Sequence, residues 1–260
     1  MSERPVLYQF QSLQFASLLH AVSTRLGGHS SGPYTSLNLG HTVGDSLDAV
    51  AANHEVLYRR LGVSSDAMVT VQQIHGSKVA IASDGDAGTR LPGTDAMVSA
   101  TPGLSMMMRY ADCVPILLFD PVRNAVGLVH AGWRGTLARI AHRTVRAMTD
   151  RFGCLPHNVH AGIGPSIGPC CYQIGPEVVA RVHATLGQGT DLLQQSEASG
   201  HAHLNLWIAN RDQLSKAGVR QIEMARLCTA CRTDLFYSHR AQGGRTGRFA
   251  AIIGLRGDGV

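Results

Sequence analysis

Cysteine and histidine are the residues of this chain whose placement can do chemistry: six of the first and 13 of the second stand among 260 residues. The most informative stretch runs from Ala111-Asp112-Cys113-Val114-Pro115 through Phe119, turns at Asp120-Pro121-Val122-Arg123, and returns from Asn124 to His130. Two apolar runs about an Asp-Pro turn predict a β-hairpin. With Phe119 paired to Asn124, Cys113 lies directly opposite His130 on one face, β-carbons about 4.5–5.5 Å apart. At that separation a thiolate and an imidazole share a proton or a metal ion, whereas a slip of one residue sends them to opposite faces. His75, which ends the apolar run Val71-Gln72-Gln73-Ile74 and precedes Gly76, is the third candidate, since sites assemble where strands end at one sheet edge. Ligands of the type His, Cys and His leave a fourth tetrahedral position open, as catalytic zinc sites do. A metal there lowers the pKa of water to about 7 and so supplies a nucleophile at neutral pH. Taken singly, a strand cysteine is also read as a small buried hydrophobe, and a single histidine as a structural residue.

Other residues offer less specific chemistry. His130-Ala131-Gly132-Trp133-Arg134-Gly135-Thr136 leads into a predicted helix, where Arg134 and backbone N–H groups suit a phosphate or carboxylate and Trp133 offers a stacking surface. Asp112 is the nearest candidate for proton transfer. Arg240, Arg245 and Arg248, beside Ser238 and His239, are either solvated surface or, with Arg25 and Arg134, a setting for an anionic group. Cys228-Thr229-Ala230-Cys231 has the gap of a zinc ribbon, but no second such pair exists and adjacent Cys170-Cys171 is a poor substitute. A structural role is therefore favoured over a metal site. The His-x-Glu and Pro-Cys-x-x-Cys signature of nucleic-acid zinc deaminases is missing from the sequence. The stretch from Ile163 to Tyr172, rich in glycine and proline, is either a loop that wraps a ligand or a tight connection with special backbone angles.

The elements that must position these groups are partly readable. Helices are expected at 46–61, with Asp45 or Ser46 as cap and Gly62 as stop, at 136–151, at 176–186 opening on Pro176, and at 206–217 ending at Gly218. Strands are expected at 67–74, 104–109, 113–119, 125–130, 158–163, 219–226 and 248–255. The stretch 188–203 reads as an exposed excursion. Strands and helices intersperse without strict alternation, which predicts a mixed α/β fold. With 44% apolar residues and no linker composition, residues 1–260 are expected to form a single domain.

Bulk properties narrow the partners. A net charge of +5 comes from scattered basic residues rather than a phosphate-tracking stripe, which argues against nucleic acid and suits an anionic small substrate. No apolar run reaches the roughly 18 residues of a membrane span, and the N-terminal stretch lacks the pattern of a secretory signal. A cytoplasmic protein with reduced thiols is expected.

The combined motifs resemble those of the multicopper polyphenol oxidase (laccase-like) domain family, now generally regarded as purine nucleoside phosphorylase-type enzymes and including the bacterial peptidoglycan editing factors. The likeness runs through Ser23-Thr24-Arg25-Leu26-Gly27-Gly28, Ser36-Leu37-Asn38-Leu39-Gly40, Gln73-Ile74-His75-Gly76, Thr94-Asp95-Ala96-Met97-Val98, Ala111 to Ile116, His130 to Gly135, Ile163 to Tyr172 and Cys228-Thr229. The resemblance implies a layered α/β/β/α sandwich with mixed sheets and a zinc site formed by His75, Cys113 and His130, with copper as the alternative ion. It also implies phosphorolysis of adenosine, inosine and methylthioadenosine, deamination of adenosine, and substrate contacts from Arg25, Asn38, Trp133 and Arg134. Gln173 stands where the pattern leads us to expect Glu, which puts part of that activity in question.

Two further readings compete. In one, Cys113 is a nucleophile activated by His130 in an amide hydrolase acting on a cell-wall precursor. In the other, the protein binds nucleoside or metal without turnover. A copper polyphenol oxidase fits poorly, because such enzymes use several His-x-His pairs and this chain has only His201-Ala202-His203.

Overall fold

The structure, a computed structural model, describes residues 4–187, 192–195 and 201–257. Two six-stranded mixed sheets carry the fold. The first runs Leu7–Tyr8, Leu18–Ser23, Phe249–Leu255, Ser105–Tyr110, Met68–Val71, Arg90–Leu91. The second runs Gln221–Met224, His160–Ile163, Val114–Asp120, Ala125–Ala131, Ala96–Ser99, Val79–Ile81. A small third sheet joins Gln173–Ile174, Ala202–Leu204 and Leu193–Gln195. Two of its strands fall in the stretch expected to be loop; 188–191 and 196–200 lie outside the described residues.

Strand alternation divides the apolar side chains into three layers. Val22, Met106, Met108, Tyr110, Phe249, Ala251 and Ile253 of the first sheet meet Met97, Leu117, Phe119, Val126 and Leu128 of the second. On the far side of the second sheet, Ile116, Leu118 and Val129 pack against Ile140, Val145, Met148, Val182 and Leu214 from three helices. On the far side of the first, Met68, Met107, Ala250 and Ile252 pack against Leu57 of helix Leu47–Leu61. This is the expected α/β/β/α order, and no helix among the described residues is long and apolar enough to cross a membrane.

Three of the four expected helices stand within a residue of their bounds: Leu47–Leu61, capped by Ser46 and stopped by left-handed Gly62, Pro176–Leu186, and Leu206–Lys216. The fourth is two helices, Trp133–Leu137 and Ile140–Phe152, separated at Arg139, whose φ of 60° interrupts the α-helical path. Strands Leu18–Ser23 and Ala96–Ser99 were not among those expected. Every residue in both is buried, so neither shows the polar alternation by which a strand is read.

The hairpin forms one position later than expected. Asp120 Oδ1 accepts the N–H groups of Val122 and Arg123 at 2.9 and 3.1 Å, closing the turn from the last strand position. Asn124, at φ 47°, cannot serve in the ladder, so Asp120 pairs with Ala125. His130 consequently faces Pro115 rather than Cys113. The displacement along the partner is two residues, an even number, and Cys113 and His130 keep the same face.

Candidate metal centre and cavity

Cys113 enters its strand from Asp112, whose backbone has φ 88°, and His130 sits near the end of the returning strand. His130 belongs to the second sheet, and Cys113 immediately precedes that sheet's strand Val114–Asp120. His75, at φ 59°, arrives from the continuation of Met68–Val71 in the first sheet. That continuation is held by Gln73, whose side-chain amide donates to the Arg109 carbonyl and accepts the Arg109 N–H at 2.7 and 3.0 Å. One donor atom from each of His75, Cys113 and His130 lies within 4.8 Å of the others. The three residues that sequence reasoning joined are thus joined in space, although the cross-strand pairing used to join two of them was displaced.

Asp95 was quoted only as part of a motif, yet it organises the centre. Its buried carboxylate accepts His130 Nδ1–H at 2.8 Å and the N–H groups of Ile74, His75 and Gly76 at 3.1, 2.9 and 2.7 Å. Its own carbonyl accepts the His130 N–H at 2.8 Å. Burial works against its ionisation, but the donors from His130 and from the N–H groups of Gly76 and Ile74 hold its pKa below the ordinary carboxylate value. With Nδ1–H committed to Asp95, the other ring nitrogen of His130 faces Cys113, the orientation that metal-ligating histidines take. Gly132 completes the cradle: a Cβ there would stand 3.0 Å from Cys113 Sγ and 3.3 Å from His75 Cδ2. In the metal-free protein burial opposes ionisation of Cys113, but His130 and His75 bring the thiol down to about 6. Burial likewise opposes the charge on His130, which Cys113 and Asp95 raise to about 9. The donor set therefore fits a divalent ion that accepts one thiolate and two imidazoles.

The centre opens into a cavity of about 540 Å³, large enough for a small molecule. Arg90, Arg109, Arg134, Arg240 and Arg248 line it, against Asp112 as the one acidic residue among the described residues. Burial lowers Arg109 only to about 10, so it stays charged at neutral pH. Arg134 and Trp133 both face the cavity, with the guanidinium carbon 4.5 Å from the ring centroid. Tyr172 faces it too, with Arg240 at 5.3 Å from its centroid.

Two expected contacts, Arg25 and Asn38, stand outside the lining. Arg25 is not in the lining; it donates to the carbonyls of Thr35 and Thr233 at 2.7 and 2.8 Å and covers Tyr237. Asn38 is fully buried and also stands behind the lining, where its Oδ1 accepts the N–H groups of Gly40 and Arg248 at 2.9 and 2.8 Å. Asp112 lines the cavity, but its Oδ1 accepts Thr229 Oγ1–H and its Oδ2 accepts the Arg240 N–H, both at 2.7 Å. Gln173 meets Arg240 through its carbonyl, at 2.7 Å, a contact that does not depend on whether the side chain is an amide or an acid.

Comparison with known proteins gives this arrangement its relatives. The sequence profile described as multi-copper polyphenol oxidoreductase laccase matches residues 19–256. A protein named purine nucleoside phosphorylase from Deinococcus radiodurans is 41% identical over 239 residues, 91% of this chain and 88% of that protein. Adenosine deaminase RL5, from an unknown prokaryotic organism, is 33% identical across 93% of this chain and 97% of its own length. The crystal structure of YlmD from Geobacillus stearothermophilus superposes with a TM-score of 0.90 at 35% identity, covering 97% of this chain and 99% of that one.

Proposed function

The chain belongs to the multi-copper polyphenol oxidoreductase laccase family, and we propose that within it this protein is a zinc-dependent purine nucleoside enzyme, acting by phosphorolysis on adenosine, inosine and methylthioadenosine and by deamination on adenosine. The observation that carries this reading is the junction of a His75–Cys113–His130 donor set with an arginine-lined cavity of about 540 Å³. Relatives named purine nucleoside phosphorylase and adenosine deaminase support the same chemistry.

His75, Cys113 and His130 would hold the ion. When bound, zinc supplies a Lewis acid and a water of lowered pKa. The chain's own residues do the rest. Trp133 and Tyr172 line the cavity under the guanidinium groups of Arg134 and Arg240, and a purine that takes the place of either guanidinium would gain about 1–3 kcal/mol from stacking on the ring. Arg134 and Arg240 offer guanidinium groups to phosphate, and Arg109 and Arg90 extend the positive field. That field favours binding of phosphate, the anionic co-substrate of phosphorolysis; as a phosphate oxygen bonds to the ribose carbon, the electron pair of the glycosidic bond leaves with the purine, which takes up a proton. Asp112 lines the cavity beside Cys113 and is the candidate for proton transfer in this scheme, while its two oxygens also fix the Thr229 and Arg240 segments.

A second reading has its own support. Cys113 and His130, with Asp95 behind the imidazole, form the ordered chain of nucleophile, base and orienting acid found in cysteine hydrolases, and the lowered thiol pKa suits it. The substrate would then be an amide, such as a cell-wall precursor.

Incubating zinc-loaded protein with adenosine, with and without phosphate, and resolving the products by chromatography separates these readings. Phosphate-dependent adenine establishes phosphorolysis, and inosine in either condition establishes deamination. Absence of product from folded, zinc-bound protein rejects the nucleoside reading. Cys113→Ala is expected to lose the ion held with His75 and His130 together with turnover, whereas covalent trapping of Cys113 by an amide-derived electrophile, with turnover that survives chelator, would favour the hydrolase.

A further inference from the structure

The two cysteine pairs that the sequence leaves apart meet in the fold. Cys170 and Cys171 lie in the glycine- and proline-rich loop after strand His160–Ile163, and Cys228 and Cys231 lie in the segment after Gln221–Met224. A parallel bridge at Ser166 and Cys228 brings the two together, with Ser166 N–H donated to the Leu227 carbonyl and Thr229 N–H to the Ser166 carbonyl, both at 3.1 Å. The four sulfur atoms lie within 4.8 Å of one another, and Cys231 Sγ is 3.4 Å from Cys171 Sγ and 3.6 Å from Cys170 Sγ. None of the four is in a disulfide.

We propose that Cys170, Cys171, Cys228 and Cys231 bind a metal ion of the zinc class, which clamps the 163–172 loop to the 226–232 segment and so fixes one wall of the cavity.

Geometry supports a tetrahedral ion. Zinc–sulfur bonds of about 2.3 Å set sulfur atoms about 3.8 Å apart; two of the separations, 3.4 and 3.6 Å, fall a few tenths of an ångström short of that, and all four sulfurs lie within 4.8 Å of one another. The Cys-x-x-Cys half is already turned as a ligand: Cys228 Sγ accepts the Gly168 N–H at 3.2 Å and is also stabilised by the Cys231 N–H. Such N–H donors orient a thiolate and offset its charge. Four uncoordinated thiols this close cannot all ionise, and a divalent ion removes that conflict by taking the place of their protons, which pass to solvent. The site stands on its own donors and holds whether or not His75, Cys113 and His130 bind an ion.

The clamp touches the cavity at several points. Ile167 and Tyr172 line it from the first loop, and the Ile167 N–H is donated to the Asp112 carbonyl at 2.9 Å. From the second segment Thr229 holds the Asp112 carboxylate, next to Cys113.

The test uses full-length protein purified with reductant. Cys113→Ala removes one candidate ion, so metal analysis of that variant reports the four-cysteine site: one zinc per chain is expected. Cobalt loaded in its place should give the intense thiolate-to-metal charge transfer of a four-sulfur tetrahedral site. Further replacement by Cys170→Ser with Cys231→Ser should abolish both. Wild-type protein supplies an independent readout, in which iodoacetamide modifies these four cysteines at least tenfold faster after chelation than before. Reduced Cys113→Ala protein without metal, alkylation rates unchanged by chelator, or a Cys171–Cys231 disulfide under reductant would each overturn the proposal.

Discussion

Replacing Asp95 with Asn keeps the shape of the side chain but turns one acceptor oxygen into a donor facing other donors. Four groups converge on that carboxylate, so the amide leaves at least one N–H unmatched in a buried place. Asp95→Asn is expected to lower stability by about 2–3 kcal/mol and to weaken metal binding about 10- to 100-fold. Denaturant melts and competition with a zinc chelator would check the two effects; an unchanged zinc affinity would remove Asp95 from its orienting role. The same residue shows what a sequence conceals. Cys113, His130 and His75 are legible because ligand-type side chains sit at the ends of apolar runs. Asp95 stands 35 positions from the imidazole it orients and 20 from the N–H of His75, and nothing local marks it. The arginines are similar: Arg134 is readable from its neighbours, but Arg90 and Arg109 reach the cavity only through strand order, and Arg25 and Asn38 are turned to loop carbonyls and N–H groups behind it.

Elements differ in how openly they announce their ends. Helix Leu47–Leu61 is bounded by Ser46, whose Oγ accepts the Ala49 N–H, and by Gly62, and both limits are plain in the sequence. The break at Arg139 is not, because neither glycine nor proline stands there and the apolar spacing continues across it. An L-residue in the left-handed region costs roughly 1–2 kcal/mol, which glycine avoids while adding freedom to the unfolded chain. Arg139→Gly should therefore leave the protein unchanged or more stable by up to about 1 kcal/mol. Gly153→Ala, at φ 68° at the far end of the same helix, should destabilise by about 1 kcal/mol. Urea midpoints of the two variants would reveal the opposite signs; a clear loss from Arg139→Gly would mean that the arginine side chain contributes more than its backbone strain. The hairpin carries a related lesson. Its existence is readable from Asp120-Pro121, but its register depends on Asp120 accepting two N–H groups from within the strand and on Asn124 leaving the ladder, which residue types alone do not decide.

Across the whole molecule, the layer order follows from the fold's two kinds of strand. Ser105–Tyr110 and Phe249–Leu255 carry apolar side chains on both faces because each face meets another layer. Burial on this scale also sets the response to acid. His20 is 2% exposed and His54 8%; burial leads the causes that lower them to about 4 and about 3, well below the ordinary 6.5. The unfolded chain takes up protons that the folded chain refuses. Stability is thus complete above about pH 6.5 and declines as pH falls toward 4 for His20 and 3 for His54. Each histidine should remove about 2 kcal/mol between pH 7 and pH 5. Urea midpoints at the two pH values would measure the sum, and His54→Gln should shrink the difference by about half; a flat profile would contradict the assigned titrations.

Tyr110 of the first sheet donates its buried hydroxyl to the Val129 carbonyl of the second at 2.9 Å, one position from His130. His75 approaches the centre from that first sheet, and Cys113 and His130 from the second. No single sheet owns the His75–Cys113–His130 donor set, which comes together only when the two are seated on each other. A partly loosened chain that retains its strands but not its interior would look intact to circular dichroism and already be inert. Ion affinity is then a gauge of alignment, and heat or mutation that lets the sheets slide by a side chain's width should silence the protein before it unravels.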